Sequence, residues 1–353
     1  PPILIAQWAR WLGKIRRVDG RSIKVVQYRG TPKQREAMSF DADVVIVSIQ
    51  VFKKDFVRFV SECLDTRIHV IVDEAHCLKD VGTDNYKKVR DFTVGRSLQL
   101  LTGTPLNNPM DAYAYVKTIA PHVYRNLAHF TRLHVKEKDF FDNPVEFQNL
   151  DLLTSNLLIN ADRKTKEEVL IDLPECTIVQ LDYDLAPAHL KLYRTLVNEQ
   201  LLKLPDGDKI DATQATALRH ALGQVIMNWG YFSQDPDKVA AGYGVVDSVL
   251  EELDGRKLVL YANYRRTNAE LVKRYGCPGI WGDIPPKQKQ IALETFLDDP
   301  KCRMIVMQPI SAGTGIDGIQ HVCTDVLYVE PPIALSHWIQ SLSRVHREGQ
   351  KFA

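Results

Sequence analysis

The chain has 353 residues, 45% hydrophobic and 25% charged, enough apolar material for two or more cored domains. No window approaches the ~18 consecutive apolar residues of a membrane span, so a soluble, intracellular protein with no membrane partner is expected. A net charge of +1 gives no global affinity for polyanions. The balance is uneven, however. Arg10, Lys14, Arg16, Arg17, Arg21, Lys24, Arg29, Lys33 and Arg35 face only Asp19 as a counter-charge along their stretch. That stretch is either a solvated surface face or a patch that tracks phosphates. The six cysteines form no C-x-x-C pair, which argues against metal or disulfide pairing and fits a reducing interior.

In chain order, short apolar runs alternate with helical stretches as far as about Ile119. The pattern predicts buried strands at Ile23–Gln27, Val44–Val47, Ile68–Val72 and Leu98–Leu101, with helices at Phe52–Leu64 and Met110–Ile119. Buried runs with intervening helices argue for an α/β fold whose parallel sheet is covered on both faces. From about Pro121 to Leu253 the pattern shifts to longer helices of mixed polarity, such as Leu185–Leu204 and Ala212–Asn228. Pro205-Asp206-Gly207-Asp208 reads as a turn between them. Alternation then resumes, with strands at Lys257–Tyr261, Arg303–Met307 and Val326–Val329. Helices are predicted at Asn268–Tyr275, Pro286–Leu297 and Ser336–Val345. The expected organisation is an α/β lobe over residues 1–121, helical protrusions and a connector over 122–253, and a second α/β lobe over 254–353. The opening Pro1-Pro2 in place of Met, and the stop just past Gln350, read as a piece of a longer polypeptide.

Val72-Asp73-Glu74-Ala75-His76 sets two adjacent acids at the end of an apolar strand. Such a pair suits a site that holds Mg²⁺ with the first acid and orients a water with the second. By itself an Asp-Glu pair there is equally the start of a solvated turn. Leu101-Thr102-Gly103-Thr104-Pro105-Leu106-Asn107-Asn108, after the next strand, favours the first alternative.

The second lobe supplies Ser311-Ala312-Gly313-Thr314-Gly315-Ile316-Asp317-Gly318 directly after a strand. Its glycines let backbone amides approach a phosphate or sugar closely, and Asp317 can accept from a ribose hydroxyl. A tight strand-to-helix connection is the plainer alternative. Gln340-Ser341-Leu342-Ser343-Arg344-Val345-His346-Arg347-Glu348-Gly349-Gln350 then sets Arg344 and Arg347 three apart, neighbours on one helix face. Two guanidinium groups there suit the charge that develops on a transferred phosphoryl group; a solvated basic helix end is the alternative.

Taken in order, Val72–His76, Leu101–Asn108, Ser311–Gly318 and Gln340–Gln350 resemble the superfamily-two ATPases of the Swi/Snf type. Asp162-Arg163-Lys164-Thr165-Lys166-Glu167-Glu168-Val169, followed by Asp172-Leu173-Pro174-Glu175, looks like the connector between that family's lobes. The resemblance implies two RecA-like lobes and an ATP-driven motor on double-stranded DNA. Asp73 would coordinate Mg²⁺ and Glu74 would polarise the attacking water. Gly313, Gly315, Asp317 and Gln340 would help to bind ATP. His76, Thr102, Gly103 and Thr104 would couple nucleotide state to closure. Arg347 would be the arginine finger, with Arg344 beside it. Ser48, Ser311 and the basic Arg16, Arg17 and Arg21 would contact nucleic acid.

The family pattern is not followed everywhere. Ser-Ala-Gly-Thr-Gly-Ile-Asp stands where Arg-Ala-Gly-Gly-x-Gly-Ile-Asn is commoner, a form closer to the annealing-helicase branch. Lys289 stands where many relatives have Arg. No G-x-x-x-x-G-K-S/T loop occurs; Gly13-Lys14 is followed by Ile15, with Trp8 where the first glycine belongs. Relatives carry that loop upstream of the segment that Pro2–Trp11 resembles, so truncation is expected. A strand-separating helicase on DNA or RNA, and a DNA-binding scaffold without turnover, remain the alternatives. A monomeric motor is expected, and the sequence names no protein target.

Overall fold

The structure is a computed structural model that describes residues 4–64, 67–203, 209–212, 214–235, 237–312 and 316–350. The chain divides into two compact units, Pro1–Val169 and Leu170–Ala353. The segment expected as helical protrusions thus contributes 122–169 to the first unit and 170–253 to the second. The connector-like segment spans the division.

In the first unit, β1 (Val25–Tyr28) and β2 (Val44–Val47) pair in parallel, with Val25 opposite Val44. β3 (His69–Val72) and β4 (Ser97–Leu100) pair in parallel, with His69 opposite Ser97. Among the described residues these remain two separate pairs rather than the single sheet predicted. The β3–β4 pair is also covered on one face only. His69, Ser97 and Gln99 occupy one face of the β3–β4 pair, where the His69 ring lies 2.7 Å from the Ser97 hydroxyl. Ile71 shares that face and is 53% exposed. Only Val70, Val72, Leu98 and Leu100 turn inward.

The core of this unit is aromatic. Phe52 meets Phe59 and Phe92 edge-on, with centroids 5.3 and 5.2 Å apart, and Tyr28 meets Phe59 at 5.1 Å. The helix predicted over Phe52–Leu64 is two, Ile49–Lys54 and Phe56–Glu62, broken at Asp55. The Asp55 carboxylate is committed elsewhere. It accepts from Arg35 Nε at 2.6 Å and from the Tyr28 hydroxyl at 2.9 Å, and the Arg35 guanidinium holds it below the ordinary carboxylate value. The same fold corrects the reading of the basic stretch. Arg17 pairs with Asp43, Lys24 with Asp41 and Arg35 with Asp55, carboxylates that sequence distance hides. Beyond the helix Ala112–Ile119, a hairpin of β5 (Val135–Lys138) and β6 (Pro144–Phe147) appears where only helix was expected.

The second unit begins with helices Pro187–Glu199 and Ala215–Met227, flanking an antiparallel pair of β7 (Leu201–Lys203) and β8 (Lys209–Asp211). The turn expected at 205–208 lies outside the described residues. β9 (Leu258–Tyr261), β10 (Gly279–Ile280), β11 (Met304–Met307) and β12 (Asp325–Tyr328) then form one parallel sheet in the order β10-β11-β9-β12. This is the covered α/β sheet that the sequence predicts. Alternate side chains of β9 and β11 enter two cores. Val259, Tyr261, Ile305 and Met307 pack with Phe296 on one face; Leu258, Leu260, Met304 and Val306 pack with Leu271 on the other. Full burial of each such side chain contributes roughly 1.5–3 kcal/mol.

Strand order reverses at β9, so the loops after β9, β11 and β12 border a crevice at the carboxyl ends. Open α/β sheets hold their ligands there. The last helix, Leu335–Leu342, is shorter than predicted. Arg344 and Arg347 therefore lie in the turns beyond it, not on one helix face.

Candidate functional site

In the first unit the acids stand where β3 ends. Glu74 takes a left-handed backbone, φ 52° and ψ 48°, which costs a non-glycine residue about 1–3 kcal/mol and persists only where neighbours enforce it. They do so here. The Ala75 N–H donates to the Leu101 carbonyl at 2.9 Å, and the Leu101 N–H to that of Val72 at 2.9 Å. The Tyr115 hydroxyl donates to the Ala75 carbonyl at 3.2 Å. Burial raises the Tyr115 phenol above its ordinary value, so it remains a donor.

Both Asp73 oxygens are oriented as well. One accepts from the Glu74 N–H at 2.9 Å, the other from Trp8 Nε1 at 2.8 Å. His76 Nδ1 stands 3.2 Å from the Glu74 carboxylate but off the line of a hydrogen bond. Thr102 accepts the Thr104 N–H at 3.2 Å, Thr104 is buried, and Gly103 has open space around it. Asp111 holds the following loop through the N–H groups of Asn107 and Asn108. Asp73 through Thr104 thus form one braced assembly.

The predicted nucleic-acid residues of this unit are dispersed. Ser48 is buried and caps the helix Ile49–Lys54, accepting from the Val51 N–H. Arg16 donates to the carbonyls of Gly13 and Ile15. Arg17 holds Asp43, and Arg21 holds Asp19 at 2.6 Å.

In the second unit, Arg347 lies 3.3 Å from Asp317. Burial pushes the Asp317 carboxyl upward, but the Gln320 amide, Arg347 and the Gly318 N–H outweigh it and hold the group below its ordinary value. An ionised Asp317 therefore anchors one side of the guanidinium. Arg344 reaches the Ile316 carbonyl at 3.4 Å, and His346 lies 2.7 Å from the Pro174 carbonyl. Gln340 is half-buried on the last helix. Ser311 donates to Gln308 at 3.2 Å. Gly313 and Gly315 fall outside the described residues.

The crevice was not foreseen. Asn263, Tyr264, Arg265, Arg266, Trp281 and Gln308 line a groove of about 1120 Å³. Arg265 pairs with Asp283 at 2.8 Å, and the Arg266 guanidinium stacks 3.3 Å over the Tyr231 ring. Beneath lies Glu330, buried at 5% exposure. Its signal was present: an acid directly after an apolar strand, the criterion that singled out Asp73.

A family model described as the SNF2-related domain matches residues 1–228. Among curated proteins, an uncharacterised ATP-dependent helicase of Mycoplasma genitalium is 26% identical over 250 residues, covering 69% of this chain and 23% of that protein. The DNA annealing helicase and endonuclease ZRANB3 of Mus musculus is 24% identical over 301 residues, covering 80% of this chain and 26% of that protein. The chain spans about a quarter of the length of these relatives. Among solved structures, the Sulfolobus solfataricus SWI2/SNF2 ATPase core in complex with dsDNA is 18% identical, with a TM-score of 0.41 over 99% of this chain and 74% of that one. With the model match covering well over half of its residues, the chain belongs to the SNF2-related domain family.

Proposed function

We propose that the chain is the two-lobed, RecA-like motor portion of an ATP-dependent enzyme that moves along double-stranded DNA. The observation that carries this is the strained Glu74, held beside Asp73 at the end of β3. Strain of this kind clusters at active sites. Glu74 is half-buried, suited to orient a water and take its proton. Asp73 is one carboxylate; among the described residues no group of three or more Asp, Glu, His or Cys could hold a metal. A lone carboxylate fits Mg²⁺, which keeps waters and phosphate oxygens as its other ligands. Bound there with ATP, the ion would neutralise charge on the phosphates.

Any displacement of the acids passes through the Ala75–Leu101 hydrogen bond into Thr102, Gly103 and Thr104, which supports a coupling role for that turn and for His76. Arg347, anchored by Asp317, is the group we assign to the charge of the transferred phosphoryl, with Arg344 and Gln340 beside it. DNA is assigned to the groove, where Arg265 and Arg266 suit phosphates. Ser48, Ser311, Arg16, Arg17 and Arg21 are the further contacts proposed. Relatives named as a DNA annealing helicase and as DNA repair proteins support DNA as the substrate.

ATP hydrolysis with and without duplex DNA tests this. Residues 1–353 alone are expected to show none above background, because no loop in the sequence grips the β- and γ-phosphates. With a G-x-x-x-x-G-K-S/T segment joined upstream, hydrolysis is expected and should rise on adding DNA. Hydrolysis indifferent to DNA would contradict the proposal.

Strand separation has one observation in its favour. The β5–β6 hairpin presents Phe140 and Phe141 at its tip, 96% and 79% exposed. Asp139 braces that tip through the N–H groups of Phe141 and Asn143. Apolar wedges of this kind can part stacked bases. Unwinding of a forked duplex that is lost in Phe140→Ala/Phe141→Ala would favour it.

A further inference from the structure

Glu330 has no part in the nucleotide chemistry proposed above, yet its carboxylate accepts three hydrogen bonds. The Thr267 hydroxyl donates at 2.5 Å, and the N–H groups of Asn263 and Tyr264 donate at 2.9 and 3.0 Å. Those two amides sit at the start of the helix Arg265–Tyr275, whose N-cap residue Tyr264 makes no side-chain cap. The first N–H groups of a helix lack partners within it, and a local Ser, Thr, Asp or Asn ordinarily serves. Here a carboxylate 66 residues away accepts the N–H of the N-cap residue itself, and also that of the residue before it.

The same network ties the strand-end turns together. Thr267, fully buried, also accepts from Asn228 at 2.9 Å. Asn263 donates to the Pro331 carbonyl at 2.6 Å and accepts on its own carbonyl from Gln308 at 2.9 Å. Gln308 in turn accepts the Gly282 N–H and the Ser311 hydroxyl, each at 3.2 Å. The turns after β9, β10, β11 and β12 thereby become one unit.

We propose that Glu330 is a positioning residue for the groove: it fixes the turn after β9 so that Asn263, Arg265 and Arg266 meet the DNA backbone at a set spacing. This rests on the DNA assignment above and adds its regulation. Each guanidinium is braced at its far end, Arg265 by Asp283 and Arg266 by Tyr231, so the turn sets where both side chains begin. The charge on Glu330 bears on the same contacts. The groups facing it are the Thr267 hydroxyl and the phenols of Tyr183, Tyr243 and Tyr264, each phenol raised chiefly by its own burial and further by Glu330. Burial pushes the Glu330 carboxyl up to about 7. A phosphate strand above a buried carboxylate favours its protonated form. DNA binding therefore takes up a proton there, and affinity falls as pH rises through that value.

Binding of a fluorescein-labelled DNA duplex, followed by anisotropy across this pH range, tests the proposal, with amide hydrogen exchange alongside. Glu330→Ala should weaken binding about ten-fold, the scale of one lost charged contact, and deprotect the Asn263 and Tyr264 amides. Glu330→Gln, which keeps the acceptor for those amides, should bind as tightly as the wild type at low pH and lack its loss at high pH. His220 and His337 also line the groove but are present in both proteins, so the difference between the profiles reports Glu330. Amides still protected in Glu330→Ala, unchanged binding despite their exposure, or a wild-type pH profile in Glu330→Gln would each overturn the proposal. If Glu330→Ala fails to fold, the Glu330→Gln profile decides alone. Failure of the wild type to bind the duplex at any pH would instead overturn the DNA assignment itself, and this inference with it.

Discussion

β9 and β11 bury every side chain they carry, whereas β3 and β4 expose every second one. The difference teaches where each unit keeps its chemistry. A sheet sealed on both faces presents ligands only at its strand ends, and there the groove and Glu330 are found. The half-covered pair draws less rigidity from packing, and the turn that carries Asp73 and Glu74 is braced by individual hydrogen bonds from Leu101, Tyr115 and Trp8. Packing stabilises one region; a few directed bonds stabilise the other.

The largest effect is expected from the terminal turns of the sealed unit. With the phosphate-binding segment joined upstream, Arg347→Ala should lower DNA-stimulated hydrolysis by about 10³–10⁵, the range of arginine fingers. Arg347→Lys should rescue poorly, because an ammonium lacks the planar fork. Full activity in Arg347→Lys would leave only a generic positive charge at that place.

The sheets themselves can be compared by denaturant unfolding. Ile305→Ala, at the centre of the sealed sheet, should cost about 2–5 kcal/mol, while Ile71→Ala should stay within about 0.5 kcal/mol. Equal costs would remove the contrast between the two regions.

Glu330 sharpens the comparison through pH. Its carboxyl is raised to about 7 from 4.5, so the folded state holds a proton that the unfolded chain has released. Its contribution is complete below pH 4.5 and is lost as pH rises from there to about 7, a decline on the order of 3 kcal/mol. Thermal unfolding of Glu330→Gln should lack that decline and exceed the wild type in stability most clearly above pH 7. A slope identical to that of the wild type would show that Glu330 ionises freely.

The smallest effect belongs to the basic stretch. Losing one phosphate contact lowers the salt slope of DNA binding by about 0.9. Replacing Arg16, Arg17 and Arg21 together should lower it by less than three such contacts, because Arg17 and Arg21 already hold carboxylates. The full reduction would show that DNA displaces those carboxylates.

Much of this was legible in the sequence, and what was not shares a cause. Period and apolarity located β2 to the residue and β1, β3, β4, β9, β11 and β12 within two, while the two-residue β10 is too short to leave a pattern. The acids and the terminal arginines stood out by residue type and order. Tertiary partners stayed hidden. Nothing near Arg17, Lys24 or Arg35 announces Asp43, Asp41 and Asp55, and the partner of Asp55, at the helix break, lies 20 residues away. Both unforeseen hairpins carry charged or mixed strands in helix-rich surroundings, such as Val135–Lys138, where period is weak. The last helix ends at Leu342, and no glycine or proline marks that end in the sequence.

The most direct test is Glu74→Gln in the polypeptide with the upstream loop, measured for ATP affinity and for DNA-stimulated turnover. Glutamine keeps the size and the hydrogen bonding of the side chain but not the base that takes a proton from water. ATP and DNA should bind as in the wild type, while turnover falls by at least about a hundred-fold. Turnover equal to that of the wild type would contradict the assignment of Glu74 and, with it, the account of this chain as an ATP-driven motor built on that turn.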